Sequence, residues 1–228
     1  MKRLVLLATL FVTACPSSGT DVPPPGDEVP TVHANLRVLD AMAGAGMEGV
    51  DVETSVGETA TTDSDGAATV PVEANGSFSL RLTRDGALDH LLFGPTADDD
   101  FEYITFLSTE ALFDSVLAML GATHESGTGV VVVGIDYDDL QPVVGASATI
   151  SLNHDAPWVL SSNGAAYGDT VPSNGMGMVA FPNVQPGDVS VTVSPPGGTE
   201  CTAFPGGGEM PDAPVEPDVV TVVTFHCR

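Results

Sequence analysis

The sequence predicts an all-β chain, with two β-sandwich domains and one connecting helix. Three observations carry that reading: an internal repeat, Asx-Gly turn signals between alternating apolar runs, and a single stretch of helical periodicity. The repeat is clearest when "RVLDAMAGAGMEGVDVET" from Arg37 is set beside "VGIDYDDLQPVVGASATIS" from Val133. In each copy an apolar strand ends at an aspartate, and nine residues on a glycine opens another strand, Asp40 to Gly49 and Asp136 to Gly145. The turn signals are "TTDSDGAATV" around Asp65 and Gly66 and "VPSNGMGMVAF" around Asn174 and Gly175. Asp-Gly and Asn-Gly flanked by apolar runs predict hairpins. The second copy continues "FPNVQPGDVSVTVS", a strand, a proline turn and a strand, answered in the first by "NGSFSLRLT". The helical stretch lies between the copies, where Leu112, Val116 and Leu120, with Phe113 and Leu117, share one face. Ser108 or Thr109 caps it, Glu110 falls in its first turn and Gly121 stops it, which predicts a helix near 109–120 packed on a sandwich face or between the domains. The domains are accordingly placed at 31–107 and 129–228, with helix and loop over 108–128.

The first thirty residues have another purpose. Lys2 and Arg3 precede an uncharged run from Leu4 to Ala14, the length of a signal-peptide apolar region and too short for a bilayer span of about 20 residues. The order Val12, Thr13, Ala14, Cys15 resembles the lipobox of bacterial lipoproteins. That resemblance implies that residues 1–14 are a signal peptide and that Cys15 carries lipid at the mature N-terminus, so the chain meets a membrane through its acyl chains. Each buried methylene adds roughly 0.8 kcal/mol to such an anchor. An ordinary secretory signal would export the protein equally. Residues 15–30 follow as a disordered, proline-rich tether: "PSSGTDVPPPGDEVP" holds five prolines and reaches on the order of 45 Å. Pro16 after the cysteine favours the outer membrane over the inner one by analogy with enteric lipoproteins, so the expected location is the cell envelope, periplasmic or surface-exposed.

Charge narrows the chemistry. The chain has 31 acids and 6 bases. Without the signal peptide only arginines remain, and the formal charge is about −27. No lysine follows Lys2. Schiff-base chemistry, a phosphate-binding P-loop and a Ser-Lys hydrolase are thereby excluded from the exported chain. Nucleic acid is excluded as a partner too, since neutralising phosphates takes clustered bases. With Cys15 given to lipid, Cys201 and Cys227 remain as a pair in an oxidising compartment, where a disulfide is expected.

The order strand, Asp, glycine-led strand, Thr/Asp/Gly turn, "FPNVQPG" and valine-rich strand resembles the carboxypeptidase regulatory-like, or transthyretin-like, domain of many bacterial surface lipoproteins. The second copy carries the resemblance over about 129–228; the first lacks the Phe-Asn-Val-Pro-Gly element. The resemblance implies antiparallel, seven-stranded Greek-key sandwiches of Ig-like character, generally without catalytic residues. The only tryptophan, Trp158, lies in the insertion "NHDAPWVLSSNGAAYGD" and has two readings, the first implied by the resemblance and the second by aromatics on a loop above a rigid sandwich. Related domains carry an aromatic or apolar residue there to cover the core. The alternative is a ligand platform of Trp158, Tyr167, His154 and Asp155 for a glycan or peptide.

No metal site, cofactor or catalytic set is predicted. "TDSDG" opens like a calcium loop, but the twelfth position from Asp63 is Ala74, so a plain turn accounts for it. Asp98, Asp99 and Asp100 read as solvated acids. The five histidines lack ligand spacing, and no serine has a nucleophile-elbow setting. The functional expectation is a lipid-anchored, non-catalytic structural or binding module; the alternatives are a carbohydrate- or peptide-binding lipoprotein and an accessory subunit of a secreted or membrane enzyme complex.

Overall fold

The computed structural model describes residues 29–228. Cys15, the signal peptide and residues 15–28 of the tether lie outside the described residues. Seven strands form the first half: β1 (Thr31–Asp40), β2 (Asp51–Thr54), β3 (Thr59–Thr61), β4 (Ala67–Glu73), β5 (Ser77–Thr83), β6 (Asp89–Pro95) and β7 (Phe101–Leu107). Helix α1 (Glu110–Leu120) follows. The second half holds β8 (Gly129–Tyr137), β9 (Ser147–Ile150), β10 (Trp158–Ser161), β11 (Gly164–Tyr167) and β12 (Gly175–Val184). It closes with β13 (Gly187–Val189), β14 (Val191–Ser194), β15 (Cys201–Ala203), β16 (Ala213–Val215) and β17 (Val219–Cys227).

The strands stack in sandwich-like layers. A sheet β4-β1-β7 packs on a ten-stranded sheet ordered β11-β10-β12-β8-β17-β6-β5-β2-β3, with β15 also on β17. Two small sheets, β14-β9 and β13-β16, cover the other face of the large sheet in the second half. Period-two burial explains the outer strands: β1 buries Val32, Ala34, Leu36 and Val38 and exposes or half-exposes the residues between. Strand β8 is different, burying Val130, Val131 and Val133 with Val132 half-buried, because material covers both its faces. Each half has its own core, around Val50, Phe78, Leu80 and Leu82 in the first and around Ile135, Val179, Phe181 and Val223 in the second.

The sequence repeat is real at the level of single hydrogen bonds. Gly49 N–H donates to Thr62 O at 3.0 Å and Thr62 N–H returns to Val50 O at 2.9 Å. In the second copy Gly145 N–H donates to Val171 O at 2.9 Å and Val171 N–H to Ala146 O at 2.8 Å. Both glycines have φ in the left-handed region, 75° and 87°. Strands β1, β4 and β7 correspond to β8, β12 and β17 in their pairing as well.

Three expectations need correction. The sheets are mixed rather than antiparallel, since β1 with β7, β8 with β17, and β17 with β6 run parallel. The first and last strands of each copy lie side by side and run the same way, so their ladder is parallel. The "TTDSDGAATV" segment is not a hairpin between paired strands: β3 pairs with β2 and β4 with β1, so the turn is a corner between sheets. Its local geometry is still a tight Asx turn, with Asp63 Oδ1 accepting from Asp65 N and Ala67 N, both at 2.9 Å. The Asn174–Gly175 turn is not a hairpin either, but it stays within one sheet: β11 and β12 both pair with β10, so the connection passes over that strand.

The helix matches its prediction. Thr109 Oγ1 accepts from Leu112 N at 3.2 Å, and Gly121 ends it at φ 68°. Phe113, Val116 and Leu117 bury against Trp158, Ala180 and Val220 of the large sheet. The expected disulfide is present between Cys201 and Cys227, which sit opposite one another in the β15–β17 ladder.

Candidate functional site

The large sheet has one face left over. Its second-half core takes alternate residues of β8 and β17; the other set, Val130, Val132, Gly134 and Asp136 with Val220, Val222, Thr224 and His226, looks the opposite way. These residues floor a cleft of about 1170 Å³. Leu112, Phe113, Val116 and Met119 of α1 line one wall, Phe101 to Phe106 of β7 another, and Thr202 to Gly207 close an end. That closing loop leaves the disulfide and crosses to the first half, where Gly206 N–H donates to Pro95 O at 3.0 Å. A Cβ on Gly206 would stand 2.8 Å from backbone carbons of Pro95 and Thr96, so the approach requires glycine.

Most of the lining is apolar, and its polar groups gather on few positions. Tyr103 Oη and Thr224 Oγ1 are hydrogen-bonded at 2.7 Å across the cleft, and burial pushes the Tyr103 phenol up to about 12. His226 stacks on Phe204 with ring centroids 4.0 Å apart. Its Nδ1 lies 3.7 Å from Asp138, whose Oδ2 accepts from Arg228 Nε at 2.9 Å. Asp136 has neither a hydrogen bond nor an ion pair among the described residues, and burial raises its carboxyl to about 7. Its counterpart in the repeat behaves oppositely. Asp40 Oδ1 accepts from Ala43 N at 2.7 Å and Met42 N at 2.8 Å, and those backbone donors hold its pKa below the usual carboxylate value. One repeat position thus carries a turn-forming carboxylate in the first copy and a partnerless cleft carboxyl in the second.

His90, buried on β6, has its Nδ1 3.0 Å from Leu88 O, and burial lowers it to about 4. Its imidazole is neutral in the folded protein, so acid costs stability as pH falls from about 6.5 toward 4, by about 3 kcal/mol for such a shift. Asp136 has the opposite sign: its raised pKa gives stability that is complete below about 4 and is lost as pH rises through about 7. The two effects oppose each other over one window, and the parent chain should show a shallow pH dependence there. Asp136→Asn should unmask the histidine, giving a steeper loss in acid, and should be more stable than the parent at pH 8. Denaturant titrations between pH 4 and 8 check both signs.

The four residues of the predicted platform are divided. Trp158 is 5 % exposed, packed beneath α1, and lines the cleft. Tyr167 pairs across from it on β11 and faces the same helix from the exposed rim, donating its hydroxyl to Leu120 O at 2.9 Å. His154 and Asp155 lie elsewhere, the imidazole edge-on to Phe181 and Asp155 Oδ2 accepting from Asn183 Nδ2 at 2.8 Å. Among the described residues no group of three or more histidines, cysteines and acids stands close enough to hold a metal. Sequence reasoning used Asp136 only as a repeat marker and passed over Tyr103, Thr224 and the methionines of the rim. The available signal was the "GMGM" run at 175–178 and the doubly apolar valine runs of β8 and β17.

Fold and site together define a β-sandwich protein with an apolar cleft between its layers. No protein-family model matches the chain, and no curated protein does. Solved structures with a likeness to it include proteins described as pilins. The minor pilin GBS52 of Streptococcus agalactiae is 13 % identical, with 86 % of this chain and 95 % of that one covered at a TM-score of 0.31. The shaft pilin SpaA of Lactobacillus rhamnosus GG is 10 % identical, covering 86 % and 97 % at 0.26. The Bacillus anthracis TIE protein is 11 % identical at 0.29, and the match covers 87 % of this chain but only 34 % of that one. At these values the neighbours' functions do not carry over.

Proposed function

We propose that the chain is an exported, lipid-anchored, non-catalytic surface module of two β-sandwich domains, 31–107 and 129–228, held off the outer membrane by the tether at 15–30. The observation that carries the structural role is the sheet shared by the two halves. Val219–Val222 of β17 pair with Asp89–Leu92 of β6, so bending at the linker would break a ladder inside a ten-stranded sheet. Arg81 of β5 adds an ion pair to Glu216 and Tyr103 a hydrogen bond to Thr224, both across the same junction. Such a body acts as one stiff unit. No helix among the described residues is long and apolar enough to cross a membrane, and the proposed attachment is the lipid on Cys15.

Replacing Cys15 tests the anchor. Cys15→Ala is expected to leave unprocessed precursor and to abolish acyl labelling, read by intact-mass analysis of the membrane fraction. A parent chain recovered soluble, unacylated and beginning near residue 16 would overturn the proposal.

A second reading, a peptide- or glycan-binding lipoprotein, is favoured by a separate observation: the cleft, which a pure spacer does not need. In that reading Trp158 contributes through the cleft wall, and Tyr167, His154 and Asp155 stand outside it. An accessory role beside an enzyme would use the same cleft for its partner.

A further inference from the structure

Strand β7 lines the cleft with every residue from Phe101 to Phe106. A strand that offers a cavity its face contributes alternate residues; one that contributes consecutive residues offers its edge. That edge is open, for β7 ends its sheet and pairs only with β1. Its polarity can be assigned. Leu107 O accepts from Ala41 N at 3.2 Å on the β1 side, and parity along the strand turns the N–H and C=O of Glu102, Ile104 and Phe106 toward the open edge.

Open edges are normally short, charged or interrupted by proline. The others among the described residues follow that rule: β3, β13, β15 and β16 have three residues, β9, β11 and β14 have four, and β4 carries Pro71 and Glu73. The β7 edge has seven residues without lysine or proline, and it leaves Ile104 39 % and Phe106 41 % exposed. Exposed Met42, Met119, Leu140 and Met176 surround the same cleft. Methionine side chains adapt to varied apolar partners. An unpaired carboxyl, Asp136, stands in the cleft, and Glu102 lies on the open edge.

We propose that the cleft receives an extended segment of a partner protein, which adds as a strand to the free edge of β7, lays apolar side chains on Val130, Val132, Val220 and Val222, and sets a basic side chain at Asp136. An edge of seven residues spans about 20 Å, room for a strand of about six residues. Charge complementarity points to a basic partner rather than to the chain's own tether, whose prolines lack ladder donors and whose Asp21, Asp27 and Glu28 would face Asp136. The inference deepens the binding reading and is independent of the anchor, so acylation at Cys15 and strand addition at β7 fail separately.

The probe is a panel of dye-labelled ten-residue peptides alternating threonine with valine, leucine or methionine around one central lysine, titrated by anisotropy against the chain from residue 29 onward in its parent oxidised form and against full-length lipoprotein in detergent. Saturable binding is expected, with hydrogen exchange at residues 102, 104 and 106 slowed at least tenfold. N-methylation of alternate peptide amides should weaken binding at least tenfold, and glutamate in place of the lysine should weaken it as well. Ile104→Pro removes an outward N–H without touching the β1 ladder and should weaken binding by a similar factor with the melting temperature retained; the N-methylated peptide decides the matter if that variant does not fold. Absence of saturable binding across the panel, or equal affinity for the N-methylated peptides, would overturn strand addition. So would slow exchange at these amides without peptide together with a concentration-dependent dimer in sedimentation, since a second copy would then close the edge.

Discussion

Trp158→Ala is expected to lower the unfolding free energy by about 3–5 kcal/mol, the range for truncating a large buried aromatic. The indole sits at 5 % exposure between β10 and α1, in a cluster with Phe113, Val116, Leu117, Ala180 and Val220. Removing it leaves a void under the helix, whose remaining ties to this hairpin are the Tyr167 hydroxyl on Leu120 O and the packing of Leu160 and Ala165. A second substitution separates packing from polarity. Trp158 Nε1 is buried without a hydrogen-bond partner, and an orphaned donor of that kind costs about 1–3 kcal/mol. Trp158→Phe loses some area but also that penalty, so it should recover most of the stability that alanine forfeits. Emission from the parent should be blue-shifted and resistant to acrylamide. Urea titrations of the three proteins are the check; a loss for phenylalanine as large as that for alanine would overturn the packing argument.

The next largest effect is expected from the disulfide. Cys201→Ser with Cys227→Ser opens a closure of 26 residues in the denatured chain, worth about 3.5 kcal/mol by loop entropy. The consequence should be local as well as global. The bridge fixes the start of the loop that crosses from β15 to β6 and closes the cleft, with Phe204 stacked on His226 and Gly206 bonded to Pro95. Hydrogen exchange at Phe204 and Gly206 should therefore accelerate more than exchange in the first-half core around Leu80 and Leu82, measured where the double variant remains folded.

How far the sequence reveals this molecule depends on the range of the interaction. Helix α1 was legible because its cap, its stripe and Gly121 all lie within thirteen residues of one another. The repeat was legible because Asp40–Gly49 and Asp136–Gly145 share a spacing that the fold turns into the same hydrogen bonds. Pairing was not legible. "DHLLFGP" and "VVTVVTFHC" read as buried strands, but nothing within either run names the other as its parallel neighbour. The turn residues gave the bends correctly and the partners wrongly, since an Asx turn is satisfied by its own backbone whether the next strand stays in the sheet or leaves it. The cleft escaped for the same reason as the pairing: its polar lining joins Tyr103 to Thr224 over 121 residues of chain. The platform reading groups Trp158, Tyr167, His154 and Asp155 by proximity in sequence; the two aromatics share a face, but Trp158 is covered by α1 while Tyr167, on the edge strand β11, stays exposed.

The place of β17 bears on the order in which a chain exported as proposed can assemble. A chain threaded across a membrane from its N-terminus delivers β6 and β8 to the far side long before β17, which belongs between them. Until residues 219–227 have passed, two valine- and leucine-rich strands wait with bare edges, and the junction between the halves does not exist. The junction between the halves therefore closes last, and a nonsense change between Val184 and Val219 would release a product with two adhesive edges instead of a shortened but orderly one.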